Sequence, residues 1–246
     1  PIQVGSLTNW KQVSAGSGNV TAINTSGQLW AWGANFYGYL GNGTTTSYSS
    51  PIQVGTLTNW KQVSAAAAVK TDGTLWMLGG IGSGGEMGNG SVQTYSSPIQ
   101  IGNLTNWKIV SMSQSTGGGI DAYSQSRSFS PFVASIKTDG TLWTWGNNQE
   151  GQLGNGTRVS YSSPIQIGSL TNWKQVSATS TTVGAIKTDG TLWTWGTNDS
   201  GALGIGVNSH TPGLYNSPIQ VGTLTNWKQI STTGSYPNIG NALSVK

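Results

Sequence analysis

Catalysis in this 246-residue chain would have to be assembled from one histidine, seven carboxylates and no cysteine. The lack of cysteine removes thiolate nucleophiles, thiolate metal ligands and disulfides. Three of the acids, Asp72, Asp139 and Asp189, each stand before a glycine in a turn signal. His210 has no second histidine or pair of carboxylates beside it, so it lacks partners for metal ligation or for a nucleophile–base relay. Glycine-rich runs such as 147–156 offer backbone N–H groups, but a phosphate cradle needs a helix start directly after it, and SYSSPIQ is not one. The chain is therefore read as a non-enzyme, with no catalytic residue, metal ligand or cofactor assigned.

What remains is recognition by aromatic, polar and basic side chains. The net charge of +4 reflects few acids rather than many bases, 11 Lys plus Arg against 7 Asp plus Glu, and there is no run of like charge. A nucleic-acid footprint needs cations clustered on one face, so no specific nucleic-acid partner is expected. No apolar run approaches the ~20 residues of a membrane span, so no membrane insertion is expected either. No signal peptide is visible, and a chain opening on Pro1 reads as a processed or partial product.

The elements that would position such side chains are set by a repeat. Pro-Ile-Gln recurs at Pro1, Pro51, Pro98, Pro164 and Pro218, a period of about 50 residues. With 12 Trp and 37 Gly, and only 7% of residues charged, that period points to a β-propeller with one four-stranded antiparallel blade per repeat. Helical arrays of similar period need 3.6-residue apolar spacing, which is absent.

Four strands are predicted per blade. The first is NWKQVSA, spanning Trp10–Ala15, Trp60–Ala65, Trp107–Ser111, Trp173–Ala178 and Trp227–Ser231, with Trp, Gln and Ser alternating against Lys, Val and Ala. The second is the apolar AIK type, ending in Asp-Gly, read as a type I′ hairpin turn with positive φ at both central residues. The third, TLWTWG, puts Trp30 and Trp32, Trp143 and Trp145, and Trp193 and Trp195 on one face at i and i+2. These six are expected to pack blade against blade, with carbohydrate stacking as the functional rival. The fourth, PIQVG, begins at its proline, where a strand tolerates a missing donor. The fold class is thus all-β, a single propeller domain over 1–246 with four complete blades and a partial fifth. The N-terminal Pro1–Gly5 offers a possible fourth strand for that last blade, and a fragment of a longer propeller is the preferred reading.

Two insertions interrupt the repeat, at 112–133 and 207–215. Inserted loops on one face of a repeat ring are common binding faces. Asp121, Tyr123, Arg127, Phe129 and Phe132 in the first, and His210 and Tyr215 in the second, are the candidate partner-binding residues.

The sentence GQLGNGT, then S-P-x-x-V, then A-I-K-T-D-G-T-L-W-T-W-G resembles the regulator of chromosome condensation repeat, a propeller family usually of seven blades. The matching residues are Gly38, Leu40, Gly41 and Gly43, with Gly151, Leu153, Gly154 and Gly156, and Gly201, Leu203, Gly204 and Gly206. The pairs Trp32-Gly33, Trp145-Gly146 and Trp195-Gly196 match as well. The resemblance implies the fold and leaves function open, because the family includes a nuclear exchange factor for a small GTPase, a secreted β-lactamase inhibitor and bacterial and phage proteins. Eukaryotic members commonly carry His-Thr or Cys-Gly before the second strand, where this chain has Val20-Thr21, Ala67-Ala68 and Val183-Gly184. The near-identity of the copies is similar to that of bacterial and phage members.

The expected function is a non-catalytic interaction or structural module. A phage virion component is the concrete expectation: a tail fibre, a receptor-binding protein or a capsid-decorating protein. The partner would be a protein or a surface glycan, other virion subunits, or further copies of the chain. The expected location is virion or extracellular. The alternative is a soluble regulator of one globular protein, as an inhibitor or an exchange factor for a GTPase.

Overall fold

The computed structural model describes residues 3–16, 18–113, 131–199, 201–207, 213–235 and 238–245. Four antiparallel four-stranded sheets follow one another along the chain. The first holds β1 (Trp10–Ala15), β2 (Asn19–Asn24), β3 (Leu29–Gly33) and β4 (Tyr48–Gln53). The second holds β5 (Trp60–Ser64), β6 (Ala67–Lys70), β7 (Leu75–Met77) and β8 (Ile99–Gln100). The third holds β9 (Trp107–Met112), β10 (Phe132–Lys137), β11 (Leu142–Gly146) and β12 (Tyr161–Gln166). The fourth holds β13 (Trp173–Ala178), β14 (Thr182–Lys187), β15 (Leu192–Thr197) and β16 (Leu214–Gln220). A two-stranded fifth unit, β17 (Gln229–Ser235) and β18 (Asn238–Val245), ends the series. Residues 3–9 form no strand, so the fourth strand offered by the N-terminus to the fifth unit is not made by them.

Each first strand packs against the first strand of the next blade, and each second strand also packs against that neighbour. The first strands therefore form the inner wall of an open ring, and the fourth strands its outer edge. This explains the composition of the second strand. It lies mid-sheet and is covered on both faces, and β10 and β14 are buried throughout. Ile23, Val69, Ile136 and Ile186 there, with Leu29, Leu75, Leu142 and Leu192 opposite, form the core of each blade. Burying each such side chain contributes roughly 1.5–3 kcal/mol.

Two local expectations are corrected. The second-to-third hairpins are three-residue loops in which glycine alone has positive φ: Gly73 at 78°, Gly140 at 79° and Gly190 at 78°. Gly73 N–H donates to Lys70 O at 3.0 Å, and Lys70 N–H to Thr74 O at 3.0 Å, the pattern of a turn closed by a left-handed glycine. Asp72 stays at negative φ because its Oδ1 accepts from Thr74 N–H at 2.9 Å and Thr74 Oγ1 at 2.6 Å. The second correction concerns proline. In blades one, three and four the outer strand starts three or four residues before Pro51, Pro164 and Pro218. Each proline sits where the ladder to the third strand shifts register, so its missing donor costs no ladder bond. Among the described residues no helix is long and apolar enough to cross a membrane.

Candidate functional site

The ring has two ends, and the chain path decides what lies at each. Because strands alternate in direction, first-to-second and third-to-fourth connections leave at one end, here the loop end. Second-to-third turns and the connections into the next blade leave at the other, the turn end. Successive inner strands run parallel: Gln12 meets Val63 while Ser14 meets Ala65, two residues on in both. All blades thus share one orientation. Both insertions follow suit, since one joins β9 to β10 and the other β15 to β16. Their anchors, Ser113 and Pro131, and Val207 and Gly213, belong to the loop end.

Of the sequence-predicted partner residues, Asp121, Tyr123, Arg127, Phe129 and His210 lie outside the described residues. Phe132 is not an exposed loop residue. It opens β10, pairs with Gly146 and is fully buried in the core shared by blades three and four. An aromatic at that point escapes water by becoming strand rather than loop, which shortens the insertion. Tyr215 is half-buried in β16 opposite Gly196, as Tyr48 is opposite Gly33 and Tyr161 opposite Gly146. It is a repeat residue and not a feature of the insertion. The exposed aromatics among the described residues are instead Phe36 (74%) and Tyr37 (40%), in the loop after β3. Tyr37 meets Tyr39 edge-on at 6.2 Å. Their signal was in the sequence: blade one reads NFYGYLG where blade three reads NQEGQLG.

The six predicted structural tryptophans, expected to pack blade against blade, lie on the first-strand tryptophan of their own blade, and Trp145 and Trp195 also join the preceding blade. Trp30 and Trp32 both pack on Trp10, Trp143 and Trp145 on Trp107, and Trp193 and Trp195 on Trp173, with centroids 5.9–6.3 Å apart. Trp145 Nε1 donates to Glu86 O of the preceding blade at 2.9 Å, and Trp195 Nε1 to Gln152 O at 2.9 Å. Gly88 and Gly154 must lack a side chain there, because a Cβ would strike these indoles. Trp32 is half-buried and has no such joint in the described structure.

A second joint went unread in the sequence. Gln12 Oε1 accepts from Val63 N–H at 3.1 Å while its Nε2 donates to Val63 O at 3.0 Å. Gln62 does the same to Val110 at 2.9 and 2.8 Å. Two residues on, Ser14, Ser64, Ser111 and Ser177 accept from backbone N–H groups of the next blade. The polar residues of KQVS thus act as side-chain rungs between inner strands.

Charge is treated differently at the two ends. At the turn end, Lys70, Lys137 and Lys187 place Nζ 3.6 Å from the centroids of Trp76, Trp143 and Trp193. Burial pulls these three ammonium groups below the usual lysine range, against the opposing pull of Asp72, Asp139 and Asp189. Hydrogen bonds from the following threonines hold those aspartates below the usual carboxylate range. At the loop end, Glu86 is fully buried. Its Oε2 accepts from Gly84 N–H at 3.0 Å, and its Oε1 has no partner. Burial pushes its carboxyl up to about 7. In blade three the same position is Gln152, whose Nε2 donates to Asn147 Oδ1 at 2.8 Å. Among the described residues no group of three or more His, Asp or Glu is placed to hold a metal ion.

The comparisons with known proteins agree with this geometry. The sequence profile of the regulator of chromosome condensation (RCC1) repeat matches residues 26–68, 139–186 and 189–236, and a second profile of the same description matches 10–38. No curated protein sequence matches the chain. Among solved structures, human WBSCR16 superposes with a TM-score of 0.75 at 18% identity, covering 94% of this chain and 57% of that one. Prp20p from Saccharomyces cerevisiae gives 0.74 at 16% identity, over 94% and 56%. Yeast RCC1 (Prp20) bound to Kap60 gives 0.73 at 17% identity, over 93% and 53%. At these identities the likeness concerns the fold, and this chain spans a little over half the length of each. With repeat profiles covering more than half of its residues, and blades joined as described, the chain belongs to the RCC1 repeat family of β-propellers.

Proposed function

We propose that this chain is a non-catalytic binding platform whose loop end engages a protein partner. The carrying observation is the meeting at one end of both insertion anchors with the exposed aromatics Phe36 and Tyr37. Exposed aromatics on a stiff frame are favourable anchors, because a large apolar area is buried at little cost in side-chain entropy. Prp20p is described as binding Gsp1p and histones, which supports a protein as the class of partner for a propeller of this kind. The setting we propose is a virion or extracellular one, resting on the 7% charged composition; mass spectrometry of purified particles checks it.

The test is a pull-down with wild type and with Phe36→Ser/Tyr37→Ser. A partner recovered in stoichiometric amount by wild type, and lost by a variant that melts like wild type, supports the proposal. Equal recovery by both, or binding on a glycan array with no protein recovered, overturns it. Recovery of one soluble globular enzyme or GTPase favours the regulator reading over a virion component.

A further inference from the structure

The turn end carries a feature that the repeat hides when read linearly. Lys11, Lys61, Lys108 and Lys174 each occupy the residue skipped by a register shift near the start of a first strand. Lys228 stands at the same point before β17. All five are exposed. The skipped residue of a bulge makes no ladder pair, so its side chain is free to leave the sheet. Since first strands form the inner wall, the five ammonium groups stand in an arc around one mouth of the ring.

Their charge is not cancelled locally. The first strands and the connections leading into them contain no acid. Asp72, Asp139 and Asp189 are the acids of this end among the described residues, and each is tied down by hydrogen bonds from the threonine of its own hairpin. Eight lysines therefore face three aspartates here, whereas the described loop end carries Arg158 against Glu86, Glu150 and Asp199. The two ends are electrostatically unlike.

An apolar series accompanies the lysines. Leu57, Leu104, Leu170 and Leu224, four residues before each of the last four lysines, are 44–47% exposed. A phosphate backbone would engage the lysines and leave these leucines in water. Nucleic-acid binding also favours open aromatic platforms, but Trp76, Trp143 and Trp193 at this end are each already covered by a lysine. Point charges interleaved with aliphatic side chains fit carboxylates interleaved with apolar residues.

We propose that the turn end is a docking surface for an acidic protein segment bearing apolar side chains, with Lys61, Lys108 and Lys174 as its charged centre and Leu104 and Leu170 as its apolar contacts. This surface lies opposite the loop end, so both can be occupied at once.

The test uses the full chain and a fluorescent synthetic peptide of interspersed Glu and Leu, beside poly-glutamate and a single-stranded DNA of equal charge. The peptide is expected to bind most tightly. Lys61→Gln/Lys108→Gln/Lys174→Gln is expected to weaken it at least about tenfold, in line with the loss of several charge contacts, and Leu104→Ser/Leu170→Ser at least about threefold, in line with lost apolar burial. Arg158→Gln, at the opposite end, leaves it unchanged. Circular dichroism and melting establish that the variants fold. Independently of any variant, wild-type affinity is expected to fall steeply between about 0.05 and 0.3 M salt, because exposed charges are screened. DNA binding more tightly than the peptide makes the face a nucleic-acid surface and overturns the proposal. So do equal binding of poly-glutamate, affinity independent of salt, lysine variants that bind as wild type, or no binding by any probe.

Discussion

Glu86 shows how one substitution within a repeat changes the chemistry of its site. Gln152, its counterpart, is neutral and uses both halves of its amide, accepting from Glu150 N–H and donating to Asn147 Oδ1. Glu86 has Gly80 in place of that asparagine, and one oxygen is left without a partner. The folded chain therefore favours the protonated acid, with its carboxyl raised to about 7 from an ordinary 4.5. A raised acid means that the native state binds the extra proton between those values, so stability falls as pH rises through that window. Glu86→Gln is expected to change little below about pH 4.5 and to stabilise above about pH 7, by up to roughly 3 kcal/mol. Denaturant melts at pH 5 and pH 8 check this, and equal effects at both would disprove a buried protonated carboxyl. The same carboxylate, after burial itself, helps keep the Tyr39 phenol above its ordinary range.

At the scale of elements, stability lies in how the strands of one blade hold the next. Gln62 makes two hydrogen bonds to Val110 across the joint between blades two and three. Gln62→Ala is expected to cost about 1–3 kcal/mol, since two partly buried backbone groups lose their partner; urea melts measure it. The hairpin turns are locked to the following blade. Gly140 has φ of 79°, and a Cβ there would strike Thr171 O, while its own carbonyl accepts from Trp173 N–H at 3.0 Å. Gly140→Ala therefore combines backbone strain with a collision, and a loss of about 2–4 kcal/mol is expected in thermal melts. A smaller effect would mean that the turn can withdraw from its neighbour. Packing between blades is matched in volume as well. Gly184 in blade four leaves the space that Ile230 of β17 fills, where the other first strands carry the smaller Val63, Val110 and Val176.

The whole molecule is a linear series of joints, so equivalent residues differ by position along it. Val110 is 1% exposed and Val13 63%, although both occupy the same position of a first strand. Among the described residues no blade covers the face of blade one that carries Val13. Val110→Thr is expected to cost about 1–3 kcal/mol for a hydroxyl buried without a partner. Val13→Thr is expected to cost under about 0.5 kcal/mol, as an exposed strand position accepts threonine. Comparable losses at both sites would place Val13 in a covered interface, as self-association in solution would produce; melting at two concentrations detects that.

The four blades and the order of strands within them were legible in the sequence, because both depend on periodicity and on near neighbours. Trp143 and Trp145 share a face by strand geometry alone, and a glycine after Asp139 marks a hairpin whatever surrounds it. The turn type was not legible from the Asp-Gly pair alone, because the hydrogen bonds from the following threonine to the aspartate hold the aspartate at negative φ. The glutamine and serine rungs join residues 48–55 or more positions apart, and no local pattern states which chain segment receives them. Phe132 and Tyr215 read as loop aromatics because the edge of an insertion has no signal of its own until burial and pairing define the strand. The sequence likewise held five lysines, one per repeat on a strand with a solvated face. Their placement at one mouth of the ring, and the meeting of the insertion anchors at the other, exist only once the inner strands run parallel around a common axis. Local propensity determines the blade, and the tertiary arrangement of blades determines which side chains meet a partner together.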